Sequence, residues 1–379
     1  LKYTFYILLW LLGTSAIAES ASPDAVLLEL EARILSARLQ GDYPAAIELT
    51  QRLAAEPGQE SLALALALDT RLTELSWDMR ATSDVTDLIN MAETLITTCK
   101  PAKKSRSAEA LFVCGRGHFA RSYLSAMQGN LFKAGSHGSE AIDAFEASLA
   151  ADPDKIAVKL PLGMAYFYAD HLPPFVKLIA PLMWFIPTGN SSKSLPYIRD
   201  VINGNGVYAD AARFILSDLI MQQSPEHMQE AMQALDFLAD RYPMNPRLHL
   251  ARIAGYAYQE AWPQASSALN AMKKEAPEDP RFMVIGDIWE VYIARYLEAE
   301  LSNTLQRDIL ALTPAELPTW AEDWHTLAAG IVLDYQGKRD LATARYQNVV
   351  DQNNDYASGW LQELAEQGLT KPLIKVRSR

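Results

Sequence analysis

Reactive side chains are few in this chain, and most stand far from one another. A zinc site needs ligands brought to one centre by a helix turn or tight loop, as in H-E-x-x-H or cysteine-cluster motifs. His118, His137, His171, His227, His249 and His325 are scattered, with no H-E-x-x-H and no cysteine cluster, so the spacing supports neither a metal nor a cofactor. The stretch TGNSSKS, Thr188 to Ser194, echoes a phosphate loop but lacks the glycine before the lysine and follows no strand, so it reads as a plain loop. AGSHG, Ala134 to Gly138, lacks the first glycine of a nucleophile elbow and is expected in a turn between helices. The glycines of CGRGHF, Cys114 to Phe119, are expected inside a helix, where they let a neighbour pack closely. Asn190-Ser191-Ser192 is a glycosylation sequon with meaning only in a eukaryotic host. No catalytic residue is assigned, and the chain is expected not to be an enzyme.

Cys99 and Cys114, the two cysteines, are the candidate disulfide. The intervening CKPAKKSRSAEALFVC reads as the turn of a helical hairpin, with Pro101 ending one helix and Ser107 opening the next. Cys114 then sits about two turns into its helix, and a bridge requires the two Cα atoms within about 7 Å. The spacing leaves a bridge and two free thiols both open. A bridge closing a loop of this size stabilises by about 3 kcal/mol. Neither thiol lies in a C-x-x-C pattern, which argues against redox catalysis.

The elements that carry these residues are helical. The chain has 379 residues, 49% of them apolar, enough for a large core. Apolar residues recur at helical spacing, breaks fall at Gly, Pro, Asn and Asp, and strand-like alternation is nearly absent. Residues 1–18, LKYTFYILLWLLGTSAIA, have one charge, an apolar stretch too short to span a bilayer, and Ala16-Ile17-Ala18 in a small-x-small arrangement. They are expected to form a cleaved signal peptide, which implies a periplasmic protein with no transmembrane span in the mature chain. Net charge is -12, and a surface that acidic repels phosphate backbones, so nucleic acid is not an expected partner. Two basic runs depart from the trend: Lys100, Lys103, Lys104 and Arg106, expected in a loop, and a flexible tail over residues 369–379.

The breaks are regular. In SEAIDAFEASLAADPD, Ala141, Phe145, Ser148 and Pro153 form the second-helix half of a repeat; in KLPLGMAYFY, Leu162, Gly163 and Tyr166 open the next. The second-helix half returns as Ala231, Leu235, Leu238 and Pro243 and again as Ala265, Leu269, Met272 and Pro277, a spacing of 34 residues from Ala231 to Ala265. Gly330, Gly337, Ala342 and Tyr346 repeat the register near the end, and Gly41, Tyr43 and Ala46 near the start. Small side chains let helices approach, larger neighbours fill the gaps, and the proline stops the second helix. Residues 59–100 and 281–318 match less well and read as divergent copies.

These residues resemble the tetratricopeptide-repeat (TPR) superfamily over nearly the whole chain. From about Phe112 to Pro246 the sequence is similar to bacterial envelope TPR proteins distantly like the tetratricopeptide-repeat 39 group, and more faintly to the repeat component of periplasmic tripartite transporters. The resemblance implies an all-α, right-handed TPR-like α-solenoid over residues 19–368, with about seven or eight helical hairpins and a C-terminal capping helix near residues 357–367. It implies a concave face lined by first helices. The transporter likeness adds an apolar ligand channel.

One stretch breaks the register. A small residue is expected near position 175, Phe175 stands there, and the next helix arrives only at Ser192 to Ile202, so residues 171–189 read as an apolar insertion within one repeat. It either plugs the stack, lines a ligand or partner wall with Phe175, Trp184 and Phe185, or meets a membrane or second copy. Trp289, Tyr292 and Tyr296 share one helix face, and Tyr166 and Tyr256 occupy equivalent repeat positions, so core packing and partner binding both remain open for them. The expected function is a periplasmic adaptor gripping a protein or peptide on its concave face in envelope assembly or transport. The alternative is a carrier holding a lipid or other apolar small molecule.

Overall fold

Small residues set the spacing of this fold. Ala46, Ala141, Ala231, Ala265 and Ala342, all from the repeated pattern, are completely buried, each in the second helix of a pair. A computed structural model describes residues 23–78, 85–170, 191–223, 225–275, 280–313, 316–352 and 359–374. The leader, the 171–189 insertion and the last five residues lie outside the described residues.

Among the described residues, eight helical pairs follow one another in chain order. They are α1 (Pro23–Gln40) with α2 (Tyr43–Ala54), and α3 (Glu60–Leu75) with α4 (Thr86–Thr97). A short α5 (Cys99–Ser105) precedes α6 (Ala108–Met127) with α7 (Leu131–Ala151) and α8 (Lys159–Asp170) with α9 (Ser191–Asn203). Then come α10 (Ala209–Gln223) with α11 (Met228–Arg241), α12 (Pro246–Tyr258) with α13 (Trp262–Glu275) and α14 (Pro280–Leu297) with α15 (Asn303–Ala311). The eighth pair is α16 (Glu322–Tyr335) with α17 (Arg339–Gln352), and α18 (Gly359–Thr370) caps the stack. Each pair packs on the next, which is the layering of a TPR-like α-solenoid.

One turn recurs between the paired helices. After α1, α6 and α16 the chain turns at Gly41, Gly129 and Gly337, whose φ values of 84°, 72° and 72° are open to glycine at no steric cost. The N–H of the next residue reaches back five positions, from Asp42 to Ala37, Asn130 to Ser125 and Lys338 to Leu333. Asp42 and Asn130 then cap the second helix, accepting from the N–H groups of Ala45 and Lys133. The same turn after α12 and α14 puts Glu260 and Glu298 in the left-handed region, a conformation costing about 1 kcal/mol without glycine.

Glycines inside helices mark close approach. A Cβ on Gly115 would stand 2.4 Å from the Phe145 ring, and one on Gly330 would stand 2.4 Å from Tyr346. The two pairs occupy matching positions, so the third and eighth hairpins share one packing device. In the fourth hairpin, Gly163 lets α9 approach until Ser194 Oγ donates to the Gly163 carbonyl at 2.9 Å. The helices on either side of residues 171–190 thus pack as one hairpin.

Several local expectations need correction. Pro101 does not end a helix; α4 stops at Thr97, and Pro101 lies in the first turn of α5, where its missing N–H is tolerated. The basic run from Lys100 is therefore helical as far as Ser105. AGSHG lies inside α7 rather than in a turn, because Asn130 caps the helix four residues earlier. The capping helix runs to Thr370, and Leu373 and Ile374 are buried, so the chain beyond residue 369 packs before its basic end.

Cys99 and Cys114 are joined by a disulfide, with their Cα atoms 5.0 Å apart. The bridge ties α5 to α6. Replacing both cysteines with alanine is expected to lower stability by about 3 kcal/mol, read as a fall in the urea midpoint for 15 residues of separation.

Candidate partner-binding surface

Much of the surface of the first helices of the hairpins is covered by the chain itself. Leu30, Ile34 and Leu35 of α1 share a core with Leu160 and Phe167 of α8 and with Leu216, Leu219 and Ile220 of α10. Tyr208 donates to Glu31, and the Asn245 amide donates to the Leu39 carbonyl at 2.7 Å. Arg247, at the start of α12, donates to the carbonyls of Thr73 at 2.9 Å and Glu74 at 3.1 Å, satisfying the open end of α3. Beyond α3, Asp78 accepts from the Thr319 N–H at 2.9 Å and hydroxyl at 2.7 Å, and Trp320 Nε1 donates to the Trp77 carbonyl at 2.7 Å. The superhelix closes on itself, with its first two hairpins seated against later ones.

A charged seam lies under this closure. Arg116 on α6 meets Asp69 on α3 at 2.6 Å, and Arg38 on α1 stands 3.8 Å from the same carboxylate. Burial opposes the charge on Arg116, but Asp69, Tyr208 and Glu31 outweigh it and hold the guanidinium firmly protonated. The seam joins three helices that the sequence separates widely.

Four of the seven expected binding residues are described. Tyr166 is buried, its hydroxyl donating to Glu146 and its ring 6.1 Å from Tyr197. Trp289 and Tyr292 are buried in an aromatic pile with Trp324 and Trp360, and the Tyr292 hydroxyl donates to the Trp324 carbonyl at 2.5 Å. Burial, with Asp323 and Tyr296 nearby, pushes the Tyr292 hydroxyl far above the usual phenol range. Tyr256 is half-buried and donates to Asp236, which also holds Arg252 at 2.9 Å. Phe175, Trp184 and Phe185 lie outside the described residues.

An exposed aromatic on a first helix lies elsewhere. Tyr168, near the end of α8, is 44% exposed, yet burial pushes its hydroxyl up to about 12, with Asp218 of α10 and Tyr123 of α6 adding to the shift. Tyr123 and Asp218 are themselves half-buried, so three successive first helices contribute to one aromatic and acidic wall. It adjoins the end of α8, where residue 171 begins the insertion. Tyr168 is not legible from the repeat pattern because it stands two residues beyond the repeat position Tyr166, on the other side of the same helix; the signal is that second, displaced tyrosine.

No family model matches the sequence, and no curated protein does. The crystal structure of the APC/C hetero-tetramer Cut9-Hcn1 gives a TM-score of 0.45 at 12% identity, over 92% of this chain and 64% of that one. The structure of Naa15/Naa10 bound to HypK-THB gives 0.32 at 12% identity, over 91% of this chain and 64% of that one. The chain spans about 64% of the length of each protein. The description as a TPR-like α-solenoid rests on the stacked pairs themselves.

The scattered histidines are less scattered in space. His118 and His137, on the two helices of the third hairpin, place their Nδ1 atoms 3.0 Å apart. Burial, followed by His137, pushes the His118 imidazole down to about 4, and burial lowers His137, His249 and His325 as well. A histidine whose folded value lies below its unfolded value of about 6.5 takes up protons more readily when unfolded. Its contribution to stability is complete above pH 6.5 and declines as pH falls toward 4. For His118 the decline is about 2 to 3 kcal/mol. Urea midpoints at pH 7.5 and pH 4.5 are expected to differ by less in a His118→Gln variant than in the parent.

Among the described residues no helix is long and apolar enough to cross a membrane.

Proposed function

We propose that this protein is a non-enzymatic TPR-like scaffold in the periplasm, binding a protein or extended peptide partner in envelope assembly or transport. The observation that carries the reading is the wall formed by Tyr123, Tyr168 and Asp218. Tyrosines with an apolar body and a wet hydroxyl are favoured at recognition surfaces, and a neighbouring carboxylate selects for basic or amide-bearing partners. Phe175, Trp184 and Phe185 belong to the adjoining insertion and are assigned to the same surface. Closure by the first two hairpins supports this choice, because the inner wall they cover is withdrawn from any partner. The compartment is supported by the Cys99–Cys114 bridge, which persists in oxidising surroundings, and by the leader-like pattern of residues 1–18.

A photo-crosslinking residue at position 168 tests the reading. A single protein from the envelope fraction is expected to crosslink reproducibly, and its purified form should bind the parent at least tenfold more tightly than a Tyr168→Ala variant with an unchanged melting temperature. Equal binding to the variant removes this wall from the proposal. The apolar composition of residues 171–189, which follow α8 in the chain, favours the carrier as the second reading. A lipid mass retained in native mass spectrometry, and lost with Tyr168→Ala, would replace the scaffold with that carrier.

A further inference from the structure

Cys99, Cys114 and His118 meet at one buried point, where one atom from each lies within 4.8 Å of the others. Cys114 and His118 are four residues apart on α6, so one helical face presents both. Cys99 opens α5, and His137 arrives from α7 with its Nδ1 3.0 Å from that of His118. Cys114 is fully buried and Cys99 and His118 are nearly so, whereas His137 is half-buried and leaves a side open for an ion to enter.

We infer that this cluster has two mutually exclusive chemical states: the disulfide, and a Cys2His2 site for a zinc-class divalent ion formed by Cys99, Cys114, His118 and His137 once the bridge is reduced. Two thiolates and two imidazoles are the donor set of tetrahedral zinc, with bonds of about 2.3 Å to sulfur and about 2.1 Å to nitrogen. Those bonds place neighbouring donor atoms roughly 3.3 to 3.8 Å apart; Cys99, Cys114 and His118 already lie within 4.8 Å of one another, and His137, held 3.0 Å from His118, is the ligand that must close on the two sulfurs. Two Nδ1 atoms facing one another need a proton or a cation between them. Without an ion, one ring must donate Nδ1–H to the other; with an ion, both lone pairs are used.

The chemistry balances with a thiol reductant. Two thiols pass two electrons and two protons to the cystine and leave as their own disulfide, giving Cys99 and Cys114 as free thiols. The divalent ion then displaces both thiol protons to solvent and binds two thiolates and two neutral imidazoles, so the buried site carries no net charge. The two thiolates that would hold the ion exist only once the sulfur–sulfur bond is broken and two electrons have been added, so each state excludes the other. The inference stands independently of the partner-binding wall.

Cobalt(II) is a suitable probe, because thiolate ligation gives a near-ultraviolet charge-transfer band and tetrahedral geometry gives intense visible bands. The full chain is reduced with dithiothreitol, desalted anaerobically and titrated. One cobalt per chain with both sets of bands is expected, with neither set in the oxidised protein. His118→Ala and His137→Ala are each expected to weaken binding at least about tenfold, and bound metal should protect both thiols from re-oxidation by diamide. The inference fails if the reduced, folded chain shows no charge-transfer band, or if neither histidine variant alters binding. It fails equally if reduction unfolds the chain and cobalt does not restore its helical circular dichroism.

Discussion

Replacing Asp334 with alanine is expected to cost about 3 to 5 kcal/mol and to release the C-terminal helix from the stack. Asp334 is 3% exposed, at the end of α16, and three donors converge on it. The Tyr346 hydroxyl donates at 2.8 Å, Arg339 Nη1 at 3.0 Å and the Leu373 N–H at 2.9 Å. Arg339 also donates to the carbonyls of Gly368 at 2.5 Å and Leu369 at 3.2 Å, closing the end of α18. Burial and the adjacent carboxylate hold the Tyr346 phenol protonated far beyond its usual range, so its proton stays available to Asp334. Removing the carboxylate leaves the Tyr346 hydroxyl and the Leu373 N–H without their acceptor and costs Arg339 its ion pair while its carbonyl bonds remain, and each unmet buried donor adds its own desolvation penalty. The Tyr346 ring is also clamped between Gly330 and Gly368, so a shift of the ring disturbs both α16 and α18. Because solenoid stability is carried by neighbouring repeats, the loss should be local. Hydrogen exchange is expected to accelerate in α16, α17 and α18 and to stay unchanged in α6 and α7. Asp334→Asn, which keeps an acceptor oxygen but not the charge, should lie between parent and alanine.

Helix pairing was legible in the sequence because it depends on side-chain size at short, repeated intervals. Ala141 and Phe145, or Ala342 and Tyr346, fit only where a partner helix comes within a glycine's breadth, and Gly115 and Gly330 supply that breadth. The capping helix and the pairing of α8 with α9 across the insertion followed from the same register. Contacts between distant repeats have no such period. Trp320 and Trp77 are 243 positions apart, and nothing in either neighbourhood marks one as the other's partner. The inner-wall site was hidden for that reason: which aromatics stay open depends on which stretch of wall the first hairpins cover. His118 and His137 were misjudged because their approach is set by the crossing of two helices, and a turn had been expected where α7 runs straight through Gly135 and Gly138. Tyr166, Trp289 and Tyr292 were legible as aromatic repeat positions, but periodicity alone does not tell a core face from a groove.

Closure of the superhelix hangs on few residues, and Trp77→Ala is expected to open it. The Trp77 ring centroid lies 4.4 Å from that of Phe282 and 5.3 Å from that of Trp320, and the Arg247 guanidinium stands over it at 5.3 Å. These partners come from the sixth, seventh and eighth hairpins, whereas Trp77 follows the end of α3 in the second. Trp77 is half-buried, and removing so large an aromatic costs about 3 kcal/mol where the surroundings cannot collapse. Rigid hairpins on both sides limit such collapse here. The Arg247 bonds to the end of α3 and the Asp78 bonds to Thr319 remain, so the single variant should be less stable and only partly open. Adding Arg247→Ala removes the carbonyl cap of α3 as well. The double variant is expected to show a larger radius of gyration in small-angle scattering with unchanged far-ultraviolet circular dichroism, because the helices within each hairpin do not depend on the closure. If the radius stays constant while stability falls, the α1 contacts to α8 and α10 hold the first hairpins in place without Trp77. Opening also tests the recognition surface: Tyr123, Tyr168 and Asp218 lie on α6, α8 and α10, so partner binding there should survive the double variant, whereas a partner held by the covered wall would gain affinity from it.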